Sequence, residues 1–245
     1  MTRPAVLILG ARSDIGLAVA RRFAAEGNPI ILAARNAETL ADAKADLVLR
    51  HSIEVTLAEF DVLDTASHAA FLDGLGPLPV VAVSAIGLMG EQTISEHDTQ
   101  AAALVIRSNF EGPAAILGEI ANRMEARGNG AIVGISSVAG DRGRATNYIY
   151  GSAKAGFTAW LSGLRNRLAK KGVHVVTVLP GFVDTKMTEG MDLPAKLTAQ
   201  PDEVAEAIHR AVIRKRNVIY VKPVWQLVMA IIRNIPEPIF KRLKL

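Results

Sequence analysis

Seven short apolar runs, each closed by turn-forming residues, recur along the 245-residue chain at 5–9, 30–34, 53–60, 80–85, 131–135, 173–179 and 218–221. Most of them are apolar almost without interruption, which is what a strand buried on both faces requires; a half-exposed strand would alternate. Between them lie segments of helical period, such as 15–25 and 37–49. Strands that alternate with helices specify a parallel sheet covered on both sides. The expected architecture is α/β, a doubly wound parallel sheet of about seven strands. No internal repeat or linker breaks the pattern, so a single domain over 1–245 is expected.

Composition narrows the functional classes. The chain has no cysteine, which removes disulfide and thiolate–metal chemistry and fits a reducing compartment. No metal site is expected. Met1-Thr2-Arg3-Pro4 leads into an apolar run too brief for a secretory signal, and no stretch reaches the roughly 18 apolar residues of a spanning helix. A cytoplasmic location follows as an expectation. Charge is uneven: residues 1–209 carry 19 Lys+Arg against 23 Asp+Glu, and residues 210–245 carry 9 against 1. A body of −4 therefore bears a tail of +8. With 5% aromatics and no nucleic-acid motif, that tail suits an anionic membrane surface better than a nucleic acid; simple solubility is the plainer alternative.

In doubly wound sheets, ligands bind beyond the strands' carboxyl ends, where helices begin. Gly10-Ala11-Arg12-Ser13-Asp14-Ile15-Gly16 lies at such a place, between the first strand and the first helix. Its backbone N–H groups and the helix N-terminus suit a pyrophosphate; a glycine turn capped by Ser13 or Asp14 is the alternative. Because a carboxylate would repel a pyrophosphate, Asp14 is expected to turn back and cap the helix. The second strand ends at Ala34-Arg35, about twenty residues on. A site selective for NAD(H) places an acid there, so Arg35, with Arg12 in the loop, favours the extra phosphate of NADP(H). Asp61-Val62 follows the third strand, where the carboxylate can accept from an adenine amino group or cap the next helix. Gly87, after the fourth strand, allows close backbone approach to a nicotinamide ribose. Pro180-Gly181, with Val183 and Thr185, ends the sixth strand, and residues 182–199, with Met187 and Met191, make a long connection suited to a substrate loop.

Reactive groups concentrate between Ser136 and Lys154. Ser137 follows the fifth strand, and Tyr150 and Lys154, four apart on a helix, share a face. Asn109 falls inside or at the break of a helical pattern, where a buried amide needs partners.

The glycine loop at 10–16, Asp61, Asn109, Ser137, the Tyr150-x-x-x-Lys154 pair and Pro180-Gly181 together resemble the classical short-chain dehydrogenase/reductase family over nearly the whole chain. The resemblance implies a Rossmann-type domain, a nicotinamide cofactor, a homodimer or homotetramer, and hydride transfer between the cofactor and a carbonyl or secondary alcohol. It implies catalysis by Asn109, Ser137, Tyr150 and Lys154. In that scheme Tyr150 is the acid and Ser137 orients the substrate oxygen. Lys154 bonds the nicotinamide ribose, and its ammonium lowers the phenol's pKa by roughly one to three units. Asn109 positions a water leading from Lys154 to solvent.

Two departures stand out: Asp14 replaces the family's usual Gly, and Ser84-Ala85-Ile86-Gly87 replaces Asn-Asn-Ala-Gly. With Gly87-Leu88-Met89-Gly90 and the tail from Val228 to Lys241, they resemble the branch that reduces the 2-keto sugar of a decaprenylphosphoryl ribose. A small-molecule or lipid-linked carbonyl substrate is therefore expected. The alternative is 3-oxoacyl or general carbonyl reduction, and a non-catalytic NADP(H) sensor or scaffold is the reading from a different class. Segment 223–245 reads as basic and amphipathic: 224–235 is nearly all apolar around Gln226, Arg233 and Asn234, and Lys241, Arg242 and Lys244 follow. Such a segment suits peripheral contact with the inner face of a membrane, or packing on the body or between subunits.

Overall fold

The structure is a computed structural model that describes residues 3–243; Lys244 of the expected basic cluster lies outside them. The apolar runs form β1 (Val6–Leu9), β2 (Ile30–Ala34), β3 (Val55–Glu59), β4 (Val81–Ser84), β5 (Gly130–Ile135) and β6 (Val173–Pro180). Two short strands, β7 (Phe182–Val183) and β8 (Thr198–Ala199), pair apart from the main sheet, and β9 (Val218–Val221) completes it. The seven-stranded sheet has the order β3-β2-β1-β4-β5-β6-β9 and is parallel throughout. Its strand order reverses between β1 and β4. Leu9 sits opposite both Ala33 and Ser84, so the carboxyl ends of β1, β2 and β4 open into one crevice.

Strand periodicity sorts the core onto two faces. Val6 and Ile8 point to one side, where α1 (Asp14–Ala24), α2 (Ala41–His51) and α8 (Pro201–Ile213) bury Val19, Phe23, Leu47, Val204 and Ile208. Leu7 and Leu9 point to the other, where α3 (His68–Gly74), α6 (Gly112–Arg127) and α7 (Tyr148–Leu168) bury Leu72, Ile116, Ile120, Phe157 and Leu161. Each such side chain contributes about 1.5–3 kcal/mol when fully buried.

The helical pattern at 37–49 splits into a 3₁₀ turn, Ala37–Leu40, followed by α2. The cause is long-range: Glu59 at the end of β3 accepts the N–H groups of Asn36 (3.0 Å) and Ala37 (2.9 Å), tightening the entry. After the short α4 (Gln92–Ser95), α5 (Thr99–Ile106) runs into α6 through one π turn, Arg107–Glu111. Pro113 follows it and has no N–H, so the helical donor that the Asn109 carbonyl would take four residues on is missing. The chain closes with α9 (Val224–Asn234) and α10 (Glu237–Phe240). Among the described residues no helix is long and apolar enough to cross a membrane.

Candidate active site

A cavity of about 790 Å³ opens at the carboxyl edge of the sheet, beside the reversal of strand order. It brings together Arg12, Ser13, Asp14 and Ile15 of the glycine loop, then Gly87, Ser137, Tyr150 and Lys154, then Pro180, Gly181, Val183 and Thr185. Met187, Met191, Phe182 and Trp225 add an apolar wall. The expected residues Gly10, Gly16, Arg35, Asp61, Val62 and Asn109 do not line this space; Gly16 sits in the first turn of α1 and Asn109 in the π turn.

The glycine loop is shaped by two close approaches. Gly10 has φ +81, and a Cβ there would meet Ile86 Cγ1 at 2.9 Å; a Cβ on Gly16 would meet Ser13 Oγ at 2.8 Å and the Gly10 carbonyl at 2.9 Å. Ser13 is the helix cap: its Oγ accepts from Gly16 N–H at 3.0 Å and donates to Gly10 O at 2.9 Å. The expectation that Asp14 caps the helix is therefore corrected. With the cap position filled, the Asp14 carboxylate reaches out and accepts the backbone N–H of Lys186 at 2.8 Å. It fastens the 182–199 connection to the glycine loop. At the neighbouring edge, Arg12 Nη1 donates to Arg35 O at 3.4 Å, and both guanidinium groups are exposed. Asp61 Oδ1 accepts Leu63 N–H at 3.0 Å in a local turn, so it does not serve as the cap of the next helix.

Asn109 is fully buried and spends its whole amide on backbone: Nδ2 donates to Leu88 O (2.6 Å) and Val105 O (2.8 Å), and Oδ1 accepts Leu88 N–H (3.3 Å). It pins the chain after β4 against the π turn. A Cβ built on Gly87 would lie 3.4 Å from Asn109 Oδ1 and 3.7 Å from Lys154 Nζ, both ordinary contact distances, so the backbone here passes beside these two side chains.

Ser137 leaves β5 in extended conformation, and its Oγ accepts Ala139 N–H at 3.1 Å. Tyr150 stands in the first turn of α7 and Lys154 one turn on, with Nζ 5.7 Å from the centroid of the Tyr150 ring. The Lys154 ammonium is 3% exposed and donates to Ile135 O at 3.0 Å. Burial, with no opposing carboxylate, pulls its pKa down from 10.5 to about 7. Burial also pushes the Tyr150 phenol up from 10.0 to about 12, and the Ser137 hydroxyl beside it opposes that rise. The expected lowering of the phenol by Lys154 is thus corrected for the ligand-free protein: loss of hydration outweighs attraction to an ammonium that is itself only about half charged at neutral pH.

The C-terminal segment joins the site through residues that the sequence did not single out. Trp225 is 4% exposed, donates Nε1–H to Leu197 O at 3.0 Å and meets the Phe182 ring edge-on at 5.4 Å. A Cβ on Gly181 would fall 2.0 Å from the indole, so the glycine of Pro180-Gly181 makes room for the tail. Arg142, between Ser137 and Tyr150, donates to the carbonyls of Arg233 (2.9 Å) and Ile235 (2.7 Å), pairs with Glu237 (2.7 Å) and lies 3.8 Å over the Phe240 ring. The local hint of this docking was a lone tryptophan in a largely apolar helix.

A cavity that joins a glycine-rich strand–helix turn to a serine, a tyrosine and a lysine defines a nicotinamide-dependent oxidoreductase. The short chain dehydrogenase model matches residues 4–195. An oxidoreductase of Mycobacterium tuberculosis H37Rv, described as uncharacterized, is 39% identical over 242 residues, covering 97% of this chain and 96% of its own. A ketoacyl reductase of Nostoc is 28% identical over 229 residues, covering 90% of this chain and 79% of its own. Among solved structures, a short-chain dehydrogenase from Sphingobium yanoikuyae in complex with NADPH superposes with TM-score 0.80 at 25% identity, covering 96% of this chain and 97% of its own. An actinorhodin polyketide ketoreductase with NADPH gives TM-score 0.79 at 25% identity, covering 89% and 95%. The chain belongs to the short-chain dehydrogenase/reductase family and is an NAD(P)-dependent oxidoreductase of that family.

Proposed function

We propose that the protein reduces a ketone with NADPH, with Tyr150 as proton donor. The observation that carries this reading is the placement of the Tyr150 phenol in one cavity with Ser137, Lys154 and the glycine loop. The bare Gly10 and Gly16 turn fits a dinucleotide, which supplies the hydride when bound. The 10–16 loop would hold its pyrophosphate, Asp61 and Val62 its adenine, and Gly87, Tyr150 and Lys154 its nicotinamide ribose. Pro180, Gly181, Val183 and Thr185 would face the nicotinamide. Ser137 donates to the substrate oxygen and keeps it against the Tyr150 hydroxyl. Asn109 keeps the π turn open beside Lys154, the route by which the phenol regains its proton.

Arg12 and Arg35, exposed side by side where a 2′-phosphate would lie, support NADP(H) over NAD(H), as do the NADPH complexes of the two structural neighbours. Arg35→Ala is expected to weaken NADPH binding about tenfold or more, the scale of one charge-assisted contact, and to change NADH affinity little. Equal losses for both cofactors, measured by fluorescence titration, would refute the phosphate assignment.

The finer reading is a keto-sugar carried on a polyprenyl phosphate, reduced by a homodimer or homotetramer at a membrane surface. The apolar wall of Met187, Met191 and Trp225 supports a lipid-bearing substrate. Helix α9 packs Trp225 and Met229 inward and exposes Val224, Leu227 and Ile231 on its other side, with Lys241 and Arg242 beyond. That outer stripe supports peripheral contact with anionic lipid. Flotation with vesicles containing phosphatidylglycerol should carry the full chain, and replacing Leu227 and Ile231 by Gln should abolish it. A full chain that stays with the unbound fraction would end the membrane reading.

A further inference from the structure

Three buried polar atoms of residues that line the cavity have no hydrogen-bond partner: Arg144 Nε, Asn147 Oδ1 and Gln92 Nε2. The Gln92 amide is fixed from its other end, because Oε1 accepts Ile149 N–H at 3.3 Å, so its NH₂ group is left as a donor without an acceptor. Unmet polar atoms of this kind are rare in folded proteins and costly to leave alone. Their arrangement supplies two donors, one of them cationic, and one acceptor. Burial alone, with no carboxylate opposing it, lowers the pKa of the Arg144 guanidinium.

We infer that Arg144, Gln92 and Asn147 form a subsite for a negatively charged, hydroxyl-bearing part of the substrate. Arg144 and Gln92 donate to an oxyanion, a phosphate or a carboxylate, and Asn147 accepts from a neighbouring hydroxyl. The natural substrate is thereby an anionic polyhydroxy ketone or a conjugate of one. The inference rests on the cavity being a reductase's substrate site, yet it makes a claim about binding that can be judged without turnover.

The test is calorimetric titration of the NADP⁺-saturated protein with D-ribulose 5-phosphate, 2-keto-D-gluconate and neutral D-ribulose. At least one of the two anions is expected to bind about tenfold or more tightly than ribulose, and the tighter of the two identifies phosphate or carboxylate as the preferred group. Arg144→Met should erase that preference while leaving the melting temperature and NADP⁺ affinity in place, and Arg144→Lys should restore part of it. Equal affinity for charged and neutral ketones in the unaltered protein, or a preference that survives Arg144→Met, overturns the subsite. Failure of the reductase reading would look different: the anion preference would persist while none of the three ketones caused NADPH oxidation.

Discussion

Tyr150→Phe should lower kcat for ketone reduction by about 10²–10⁴-fold, the range a positioned general acid contributes, with NADPH affinity held within about twofold. The substitution removes one oxygen and keeps the ring, which stands in the first turn of α7 against Lys154. With a pKa near 12, the phenol is fully protonated across the physiological range, the form a proton donor must have. Its acidity in the ligand-free protein is poor. Efficient transfer therefore requires Lys154 to be charged at the moment of reaction, which the bound cofactor's hydroxyls and phosphates favour. Full activity in Tyr150→Phe, followed as NADPH absorbance with a ketone substrate, would remove the phenol from the chemistry.

Lys154→Met should do two opposite things: abolish turnover and raise the stability of the ligand-free protein at pH 7. Lys154 titrates near 7 when folded and near 10.5 when unfolded, so between those values the unfolded chain binds more protons and stability rises with pH. The penalty is complete below about pH 7, shrinks through the window above it and amounts to about 4–5 kcal/mol in full. Above about pH 10 the trend reverses, because the Tyr150 phenol and the half-buried Tyr220 phenol, which also donates to the Asp141 carboxylate, hold their protons to about 12. Methionine fills similar volume without the charge but leaves Ile135 O without its donor, at a cost of about 1–3 kcal/mol. A net gain of about 2 kcal/mol at pH 7 is expected, together with a flat response from pH 7 to 9. Urea titrations at both pH values check it. An unaltered protein no more stable at pH 9 than at pH 7 would contradict the burial of an uncompensated ammonium.

The strands were legible because a sheet buried on both faces leaves continuous apolar runs, and five-residue runs such as Ile30–Ala34 appear where they were expected. Ser137, Tyr150 and Lys154 were legible because strand ends and helical spacing are local properties. What escaped depends on contacts across the chain. Asp14 looked like a helix cap until Ser13 filled that position and the carboxylate met Lys186, 172 residues away. Gly181 looked like a strand-ending turn, and nothing near it in sequence announces the Trp225 indole that occupies its missing Cβ. Arg142 carries no motif, and its grip on the tail exists only because α9 ends beside the Ser137–Tyr150 connection. The pKa values of Tyr150 and Lys154 escaped for the same reason: spacing puts the groups together, but burial decides their charge.

The most direct measurement follows a label. NADPH deuterated at the nicotinamide C4 position is incubated with the protein and a ketone for a single turnover, and the alcohol is weighed by mass spectrometry. One stereospecific C4 label should yield an alcohol one mass unit heavier with the unaltered protein, and the opposite label an unlabelled alcohol, with both products absent in Tyr150→Phe over the same interval. A labelled alcohol formed equally fast by Tyr150→Phe, or no alcohol from the unaltered protein across neutral, phosphorylated and carboxylated ketones, would contradict a Tyr150-driven reductase.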